Sequence, residues 1–145
     1  MPDVVLLVED DANDVLLVEL AWQRVQPPAQ LQVVRNGDAA IAYLSGRGAY
    51  ADRQRYPLPV LVLLDLQLPG RSGFEVLAWL RQQARLRRLP VMVFTSSGEA
   101  GDVNRAYDLG ANAYLVKPAT LAALVDLVQV LAAHWLRLVR RPEVA

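Results

Sequence analysis

Five short apolar runs recur along the chain, and a stretch with helical spacing follows each one. They occupy residues 4–8, 31–34, 60–64, 91–94 and 113–116. Runs of this length that are rich in Val and Leu indicate buried strands. Continuous apolar strands that alternate with helices are typical of a parallel sheet with helices on both faces. Right-handed crossovers then make the sheet open and doubly wound, so we expect an α/β fold.

The first strand–helix turn distinguishes between the strand orders that such a sheet can adopt. It carries three acids, Glu9, Asp10 and Asp11, and it lacks the glycine-rich loop of a dinucleotide-binding fold. Five strands without that loop favour the flavodoxin-like order 2-1-3-4-5. We expect one domain over residues 1–145, with its core at about 4–131 and a helical extension and tail at 132–145.

Local signals predict where the helices begin and end. Asn13 is a suitable N-cap for a first helix over residues 14–25, and Ser72 with Glu75 has the spacing of a capping box. We expect the last helix to run from about residue 121 to residue 139. Residues 47–59 contain three arginines, two tyrosines and two prolines, and this composition indicates a surface loop.

Composition and charge exclude several classes of protein. The 145 residues include 15 basic and 15 acidic side chains, and the formal net charge is zero. A neutral chain is not expected to bind nucleic acid, because such binding relies on contacts between cations and phosphates. An apolar content of 54% without net charge excludes an intrinsically disordered chain. The lack of cysteine and the single histidine, His134, exclude thiolate chemistry and a Cys/His metal centre.

Membrane insertion is not expected either. No uncharged apolar stretch reaches the roughly 18 residues of a membrane helix, and the richest one, residues 121–133, is shorter and contains Asp126. The N-terminal residues lack the basic region of a signal peptide. We therefore expect a cytoplasmic protein that has no membrane association.

Reactive side chains stand at the ends of four of the five predicted strands. Glu9 and Asp10 follow the first, Asp65 follows the third, Thr95 follows the fourth and Lys117 follows the fifth. The carboxyl ends of the strands form the ligand site of a doubly wound sheet. One edge of the sheet is thus expected to gather three carboxylates, a hydroxyl and an ammonium.

This set of groups is suited to phosphoryl transfer with a divalent cation. Neighbouring carboxylates repel one another unless a cation is present, and oxygen ligands suit Mg²⁺. The metal and Lys117 would offset charge on a transferring phosphoryl group, and the Thr95 hydroxyl would donate a hydrogen bond to it. A carboxylate could then be the nucleophile and form an aspartyl phosphate.

Four motifs at these positions resemble the signatures of response-regulator receiver domains. They are LLVEDD (6–11), LLDLQLPGRSG (63–73), VFTSS (93–97) and AYLVKP (113–118). Their order and their place on the predicted strands match the family, and the resemblance spans about residues 4–131. The segments YADRQRYPLP (50–59) and HWLRLVRRP (134–142) give a narrower resemblance to the single-domain regulators that are paired with phytochrome histidine kinases.

The resemblance implies a role for each residue of the phosphorylation site. Asp65 would be the phosphoacceptor and Lys117 the partner of the phosphate. Asp10 and Asp65 would ligate Mg²⁺ directly together with the backbone carbonyl of Gln67, and Glu9 would act through a metal-bound water. Gln67 stands where Asn is frequent, and Glu9 stands where Asp is frequent, which puts the hydrolysis rate of the acyl phosphate and the metal affinity in doubt.

The resemblance also implies a switch. Thr95 and Tyr114 would form the switch pair, and the peptide bond between Lys117 and Pro118 would be cis. A partner histidine kinase would donate the phosphoryl group, and the patch around the last helices would report the state of the domain. Beyond its own phosphorylation and slow dephosphorylation, no enzymatic activity is expected.

The last predicted helix has more apolar residues than one buried face requires. A helix that packs on one face of a sheet needs a single apolar stripe, and an excess left on the surface marks an interface. We therefore expect a two-fold homodimer, with Arg137, Arg140 and Arg141 at its rim. The alternative is a wide stripe that the tail covers. The expected interface residues are Leu124, Leu127, Val128, Leu131, Trp135 and Leu138.

Two other functions remain open from the residues alone. A phosphatase of the haloacid-dehalogenase type also uses a strand-end Asp, a Thr or Ser, a Lys and Mg²⁺. Such enzymes normally carry a second acid two residues after the nucleophile, where this chain has Gln67, and the chain has no room for their cap domain. The second alternative is a binding scaffold whose site is not phosphorylated.

Overall fold

The computed structural model describes residues 3–144. Within that range five parallel strands form one sheet in the order β2-β1-β3-β4-β5. This order confirms the predicted flavodoxin-like, doubly wound topology. The strands are β1 (Asp3–Val8), β2 (Ala29–Val34), β3 (Leu61–Leu64), β4 (Val91–Thr95) and β5 (Ala113–Val116).

Five α-helices cover the two faces of this sheet within the same range. Helices α1 and α5 pack together on one face, and α2, α3 and α4 pack on the other. Side chains alternate along the strands, so Leu6 and Val8 face α2–α4 while Val5 and Leu7 face α1 and α5. The helices are α1 (Ala12–Val25), α2 (Gly37–Ser45), α3 (Gly73–Gln82), α4 (Ala100–Asp108) and α5 (Leu121–Leu131).

Helix α1 begins earlier than the sequence signals predict. Its N-cap is Asp11, whose Oδ1 accepts hydrogen bonds from the backbone N–H groups of Asn13 at 2.8 Å and Asp14 at 3.0 Å. The predicted N-cap Asn13 is wrong because the Asp11 carboxylate satisfies two free helix donors and complements the positive end of the helix dipole. The predicted cap of α3 is confirmed, since Ser72 Oγ accepts from the N–H of Glu75 at 3.3 Å.

The last helix continues past α5 as a π-helical segment (Ala132–Leu138). The continuous span Leu121–Leu138 has 18 residues and is apolar enough to match a membrane helix by length and composition. The span contains two charged residues, Asp126 and Arg137, so it is not an uncharged apolar stretch of the kind that the sequence analysis looked for. One such helix is weak evidence for a membrane span, and the buried residues of this one pack against the sheet as in a core helix.

Half of the predicted interface residues lie in the core of their own chain. Leu124, Val128 and Leu131 follow helical spacing along the stripe that faces the sheet, and they are buried there. The assignment of Leu124 and Val128 to a dimer interface is wrong for this reason, whereas Leu131 also lines a groove beside α5. Leu127 and Trp135 are half-buried. Leu138 is 77% exposed.

The tail after the last helix returns to the sheet. Arg141 Nη1 lies 2.9 Å from Asp3 Oδ2 at the start of β1, and Val144 packs against the core on the α2–α4 face. Arg141, predicted at the rim of a dimer, thus has an acidic partner in its own chain. The tail crosses the sheet at the amino ends of the strands, so it leaves the outer face of α5 uncovered.

Candidate functional site

Lys117 joins three acidic side chains at the carboxyl edge of the sheet. Its Nζ lies 2.8 Å from Asp65 Oδ2, 2.7 Å from Asp14 Oδ2 and 2.5 Å from Glu9 Oε1. Lys117 donates hydrogen bonds to Asp65 and Asp14, whereas its contact with Glu9 is an ion pair without hydrogen-bond geometry. Three residues that were predicted to meet here, Glu9, Asp65 and Lys117, are therefore in direct contact.

Main-chain hydrogen bonds fix these positions by extending the strand ladders beyond the strands. The N–H of Asp65 donates to the carbonyl of Val8 at 3.1 Å, and the N–H of Lys117 donates to the carbonyl of Thr95 at 2.8 Å. Asp65 and Lys117 are thus each the first residue after a strand, and each still forms a backbone hydrogen bond to the adjacent strand. The parallel register of the sheet therefore brings the side chains together at one edge.

The first residue of α3 packs against the backbone of Asp65. A Cβ added to Gly73 would lie 2.2 Å from Asp65 O and 2.7 Å from Leu66 Cα. Gly73 also donates its N–H to the carbonyl of Leu66 at 3.1 Å. Only glycine allows this close approach, so Gly73 is part of what holds Asp65 in place. The capping pattern in the sequence predicts the helix start and gives no sign of this contact.

Asp65 remains ionised in this environment. Burial raises the pKa of its carboxyl, but the hydrogen bonds from the Lys117 ammonium and the Gln67 N–H lower the pKa by more, so the net pKa lies below the ordinary value. The Gln67 N–H donates to Asp65 Oδ1 at 3.1 Å. The same ion pairs outweigh burial at Lys117, whose pKa is raised. The site therefore offers a carboxylate nucleophile beside a permanent cation.

Glu9 behaves differently from Asp65, because its hydrogen bonds do not offset the effect of burial on its pKa. Its side chain is 1% exposed, and burial raises its pKa to about 7. Lys117 and the N–H of Asp11 lower this pKa, while the charge of Asp65 raises it further. An additional cation at this edge would therefore strongly stabilise the ionised form of the Glu9 carboxyl.

The predicted switch residues occupy neighbouring strands. Thr95 is completely buried at the end of β4, and its Oγ1 has no hydrogen-bond partner of good geometry among the described residues. Tyr114 in β5 is half-buried, and its hydroxyl donates to the carbonyl of Ser97 at 2.7 Å. Ser97 Oγ in turn donates to Asp102 Oδ2 at 2.6 Å. Tyr114 therefore connects β5 to the loop between β4 and α4 rather than to Thr95.

The oxygen atoms at this edge fit a hard divalent cation. The side chains of Asp10 and Asp65 and the carbonyl of Gln67 would hold it, with Glu9 acting through a water molecule. Within residues 3–144 no three His, Cys, Asp or Glu side chains converge on one metal position. Mg²⁺ keeps several waters in its protein sites and takes only one or two carboxylates. The buried Oε1 of Glu9, which forms an ion pair with Lys117, is a further acceptor beside this donor set.

The predicted cis peptide between Lys117 and Pro118 is wrong for this structure. No peptide bond within residues 3–144 is cis. The trans form is the more stable one for a bond before proline, by about 0.5–1 kcal/mol. Lys117 makes its three ionic contacts with the trans backbone.

Sequence reasoning missed two acids that contribute to the site. Asp14 stands outside the four sequence motifs, yet its carboxylate accepts a hydrogen bond from Lys117 across 103 positions of sequence. Asp102 holds Ser97 in the loop after β4. Asp14 lies in the first turn of α1, directly above the end of β1. That position is the one sequence signal from which Asp14 could have been predicted as a site residue.

The model of the response regulator receiver domain matches residues 5–129, which is most of the chain. The chain belongs to this family. Receiver domains are signalling domains and not classical enzymes, so the alternative of a haloacid-dehalogenase-type phosphatase is wrong.

One response regulator is similar to this receiver domain in both sequence and structure. Response regulator Rcp1 from a Synechocystis species is 40% identical over 141 residues, which cover 97% of this chain and 94% of Rcp1. The Mn²⁺-bound structure of Rcp1 superposes with a TM-score of 0.85 over 98% of this chain and 100% of that chain. Rcp1 thus shows that a relative of this receiver domain binds a divalent metal.

Two further solved structures are similar over almost the whole length. The phosphorylated cyanobacterial phytochrome response regulator RcpA is 36% identical, with a TM-score of 0.89 over 99% of this chain and 100% of that chain. Response regulator RPA3017, from red light signalling of R. palustris, is also 36% identical, with a TM-score of 0.91 over 97% of this chain and 99% of that chain. The narrower resemblance to phytochrome-associated regulators is confirmed by these relatives.

Proposed function

We propose that this receiver domain accepts a phosphoryl group on Asp65 from a partner histidine kinase and reports its state through protein contacts. The observation that carries the proposal is the pairing of an ionised, buried Asp65 with the ammonium of Lys117 at 2.8 Å. An anionic nucleophile beside a fixed cation is what phosphoryl transfer requires.

The transfer is a substitution at phosphorus. A carboxylate oxygen of Asp65 forms the new P–O bond while the P–N bond to the kinase histidine breaks, and the electron pair of that bond returns to the imidazole. Lys117 moves from the Asp65 carboxylate to a phosphoryl oxygen, while Asp14 and Glu9 keep its ammonium at the edge. Mg²⁺ bound by Asp10, Asp65 and the Gln67 carbonyl would offset the charge of the phosphoryl oxygens.

Thr95 supplies the response to the new charge. Its buried hydroxyl has no partner of good geometry, so it can donate to a phosphoryl oxygen without breaking an existing hydrogen bond. That movement pulls on the loop between β4 and α4. The Tyr114 hydroxyl, which holds this loop through Ser97, follows the change. The phosphorylated and unphosphorylated states then differ in the surface of α4 and β5.

The partner that we propose is a phytochrome histidine kinase in the cytoplasm. The support is the names of two relatives at 36% identity, which describe red light signalling and a phytochrome response regulator. Their similarity covers nearly the full length of this chain, including its tail.

We also propose that the outer face of α5 forms a homodimer. This face borders an apolar groove of about 310 Å³ between the helix and strands β4 and β5. Leu127 and Trp135 line the groove, and Val130 beside them is 67% exposed. A second copy of the chain would cover these residues together with Leu138 by a two-fold axis.

Intact-mass spectrometry tests the phosphorylation. The domain is incubated with the phosphorylated kinase, or with acetyl phosphate and Mg²⁺, beside the variant Asp65→Asn. We expect the mass of one phosphoryl group on the wild type and none on Asp65→Asn. A wild-type domain that stays unmodified with both donors would instead support a binding scaffold that is not phosphorylated.

A further inference from the structure

The arginines of this chain are unevenly distributed. Two segments, residues 45–59 and 81–90, contain seven arginines and one acid, Asp52, although the whole chain has a net charge of zero. The remaining residues are therefore acidic by six charges. Each segment leads from the end of a helix to the start of the next strand, so both lie at the end of the sheet opposite Asp65.

A groove of about 430 Å³ lies between these two segments and the end of α2. Its size is in the range of ligand-binding clefts. Arg53 and Arg85 line it from opposite segments, and Ala84 lies beside Arg85. The large apolar residues of its lining are Leu44, Leu58, Leu86 and the half-buried Trp79.

The arginines around the groove have no acidic partners within the described chain. Within residues 3–144, no arginine of either segment has a carboxylate within 4.0 Å. The guanidinium of Arg53 is partly enclosed, and burial together with the charge of Arg85 lowers its pKa. An anion in the groove would reduce this repulsion between neighbouring cations.

The wall formed by residues 47–59 is held in place before any partner binds. Arg53 donates from Nη1 to the carbonyl of Tyr43 at 2.7 Å and from Nη2 to the carbonyl of Leu44 at 2.8 Å. The Tyr43 hydroxyl donates to the carbonyl of Pro57 at 2.9 Å. These hydrogen bonds hold the loop against the end of α2, so the binding of a partner costs little conformational entropy.

We propose that this basic groove binds an acidic segment of a partner protein that inserts an apolar side chain between α2 and α3. The arginines match the carboxylates of such a segment, and the leucines and Trp79 match its apolar anchor. The surface is concave, whereas a bilayer presents a flat face. Nucleic acid supplies phosphates without the aliphatic anchor that the floor of the groove requires. The groove lies far from Asp65, and its function is independent of phosphorylation.

Fluorescence anisotropy with defined probes tests this proposal. The probe is a short labelled peptide of Glu and Asp with two central Leu residues, compared with the same peptide without Leu. Arg85→Glu reverses one charge of the groove, and Ala84→Trp fills it without removing a contact. Arg24→Glu changes the net charge equally at the exposed end of α1 and serves as the control.

We expect the Leu-containing peptide to bind the wild type more tightly than the peptide without Leu. Arg85→Glu and Ala84→Trp should each weaken this binding about tenfold, while Arg24→Glu should change it little. Asp65→Asn should bind like the wild type. Undetectable binding at low salt, or equal binding by all variants, would overturn the proposal. Tighter, Arg85-dependent binding of oligothymidylate or of phosphatidylserine vesicles would overturn it in favour of nucleic acid or membrane.

Discussion

Lys117 is the only lysine of the chain, which otherwise has arginine as its basic residue. Its compact ammonium contacts Asp65, Asp14 and Glu9 at once, with three donors that rotate freely. A guanidinium has a planar, rigid fork and does not fit between three carboxylates that converge from different strands and a helix. The single lysine thus stands where a point charge is needed.

The protonation of Glu9 makes the stability of the metal-free domain depend on pH. Its pKa is raised from 4.5 to about 7, so between these values the folded state holds a proton that the unfolded chain releases. The contribution of Glu9 to the free energy of unfolding is fully present below pH 4.5 and is lost as the pH rises through 7. Asp65 and Lys117 stay charged throughout this window, since their pKa values are shifted away from it.

We expect the free energy of unfolding to fall by on the order of 2–3 kcal/mol between pH 5 and pH 8 in EDTA. Urea unfolding at the two pH values measures this change. In Glu9→Gln, which has no proton to release, the fall should be much smaller. Glu19→Gln, a change at an exposed glutamate of α1, should keep the wild-type fall. A Glu9→Gln variant with the full wild-type fall would show that another group is responsible.

Among the elements, α3 depends on its first residue for its position against the acceptor strand. Gly73→Ala places a Cβ within 2.7 Å of the backbone of both Asp65 and Leu66, and neither backbone can yield cheaply. We expect a loss of about 2 kcal/mol or more in urea unfolding and slower phosphorylation, because Asp65 is displaced.

Gly101→Ala is the matched change for comparison with Gly73→Ala. Gly101 lies in α4, and a Cβ there meets nothing within 4 Å. Alanine at this position should stabilise the domain by about 0.5 kcal/mol through its higher helix propensity. Equal stability of the two variants would mean that the close approach at Gly73 does not hold Asp65.

Most elements were predictable because their pattern is local. The apolar runs predicted the strands, and the acidic first turn without a glycine-rich loop predicted their order. The strand ends then predicted that Glu9, Asp65 and Lys117 meet at one edge. The predictions that failed depend on three-dimensional geometry, which the periodicity of the sequence does not specify. The stripe of α5 that faces the sheet and the stripe that faces outward are both apolar, so the sequence could not separate Leu124 from Leu138. The contact between Asp14 and Lys117 spans two distant elements and has no local signal.

For the whole molecule, the α5 face predicts how the chain associates. Leu138 is exposed and outside the core, so Leu138→Asp should leave the fold intact and abolish the dimer. Light scattering after size exclusion measures the molar mass. Leu16→Asp on α1, where Leu16 is 54% exposed, introduces the same charge on another face and should leave the dimer unchanged. A wild type that is monomeric at high concentration would contradict the proposed interface.

The charge distribution gives the molecule two unlike ends. Acids gather around Asp65 at the carboxyl edge of the sheet, and arginines that have no carboxylate partner within residues 3–144 gather at the amino edge beside the groove. The first end serves the proposed exchange of phosphoryl groups, and the second serves the proposed acidic partner. Because the sites lie at opposite ends of the sheet, both can be occupied at the same time.

Chemical trapping of the acyl phosphate tests the central claim most directly. Borohydride reduces an aspartyl phosphate to homoserine, which peptide mass spectrometry locates in the sequence. After phosphorylation by the kinase, we predict homoserine at position 65 and unchanged aspartate at Asp10 and Asp14. Reduction at Asp10 or Asp14, or at no position in a domain that has gained the mass of a phosphoryl group, would contradict Asp65 as the acceptor.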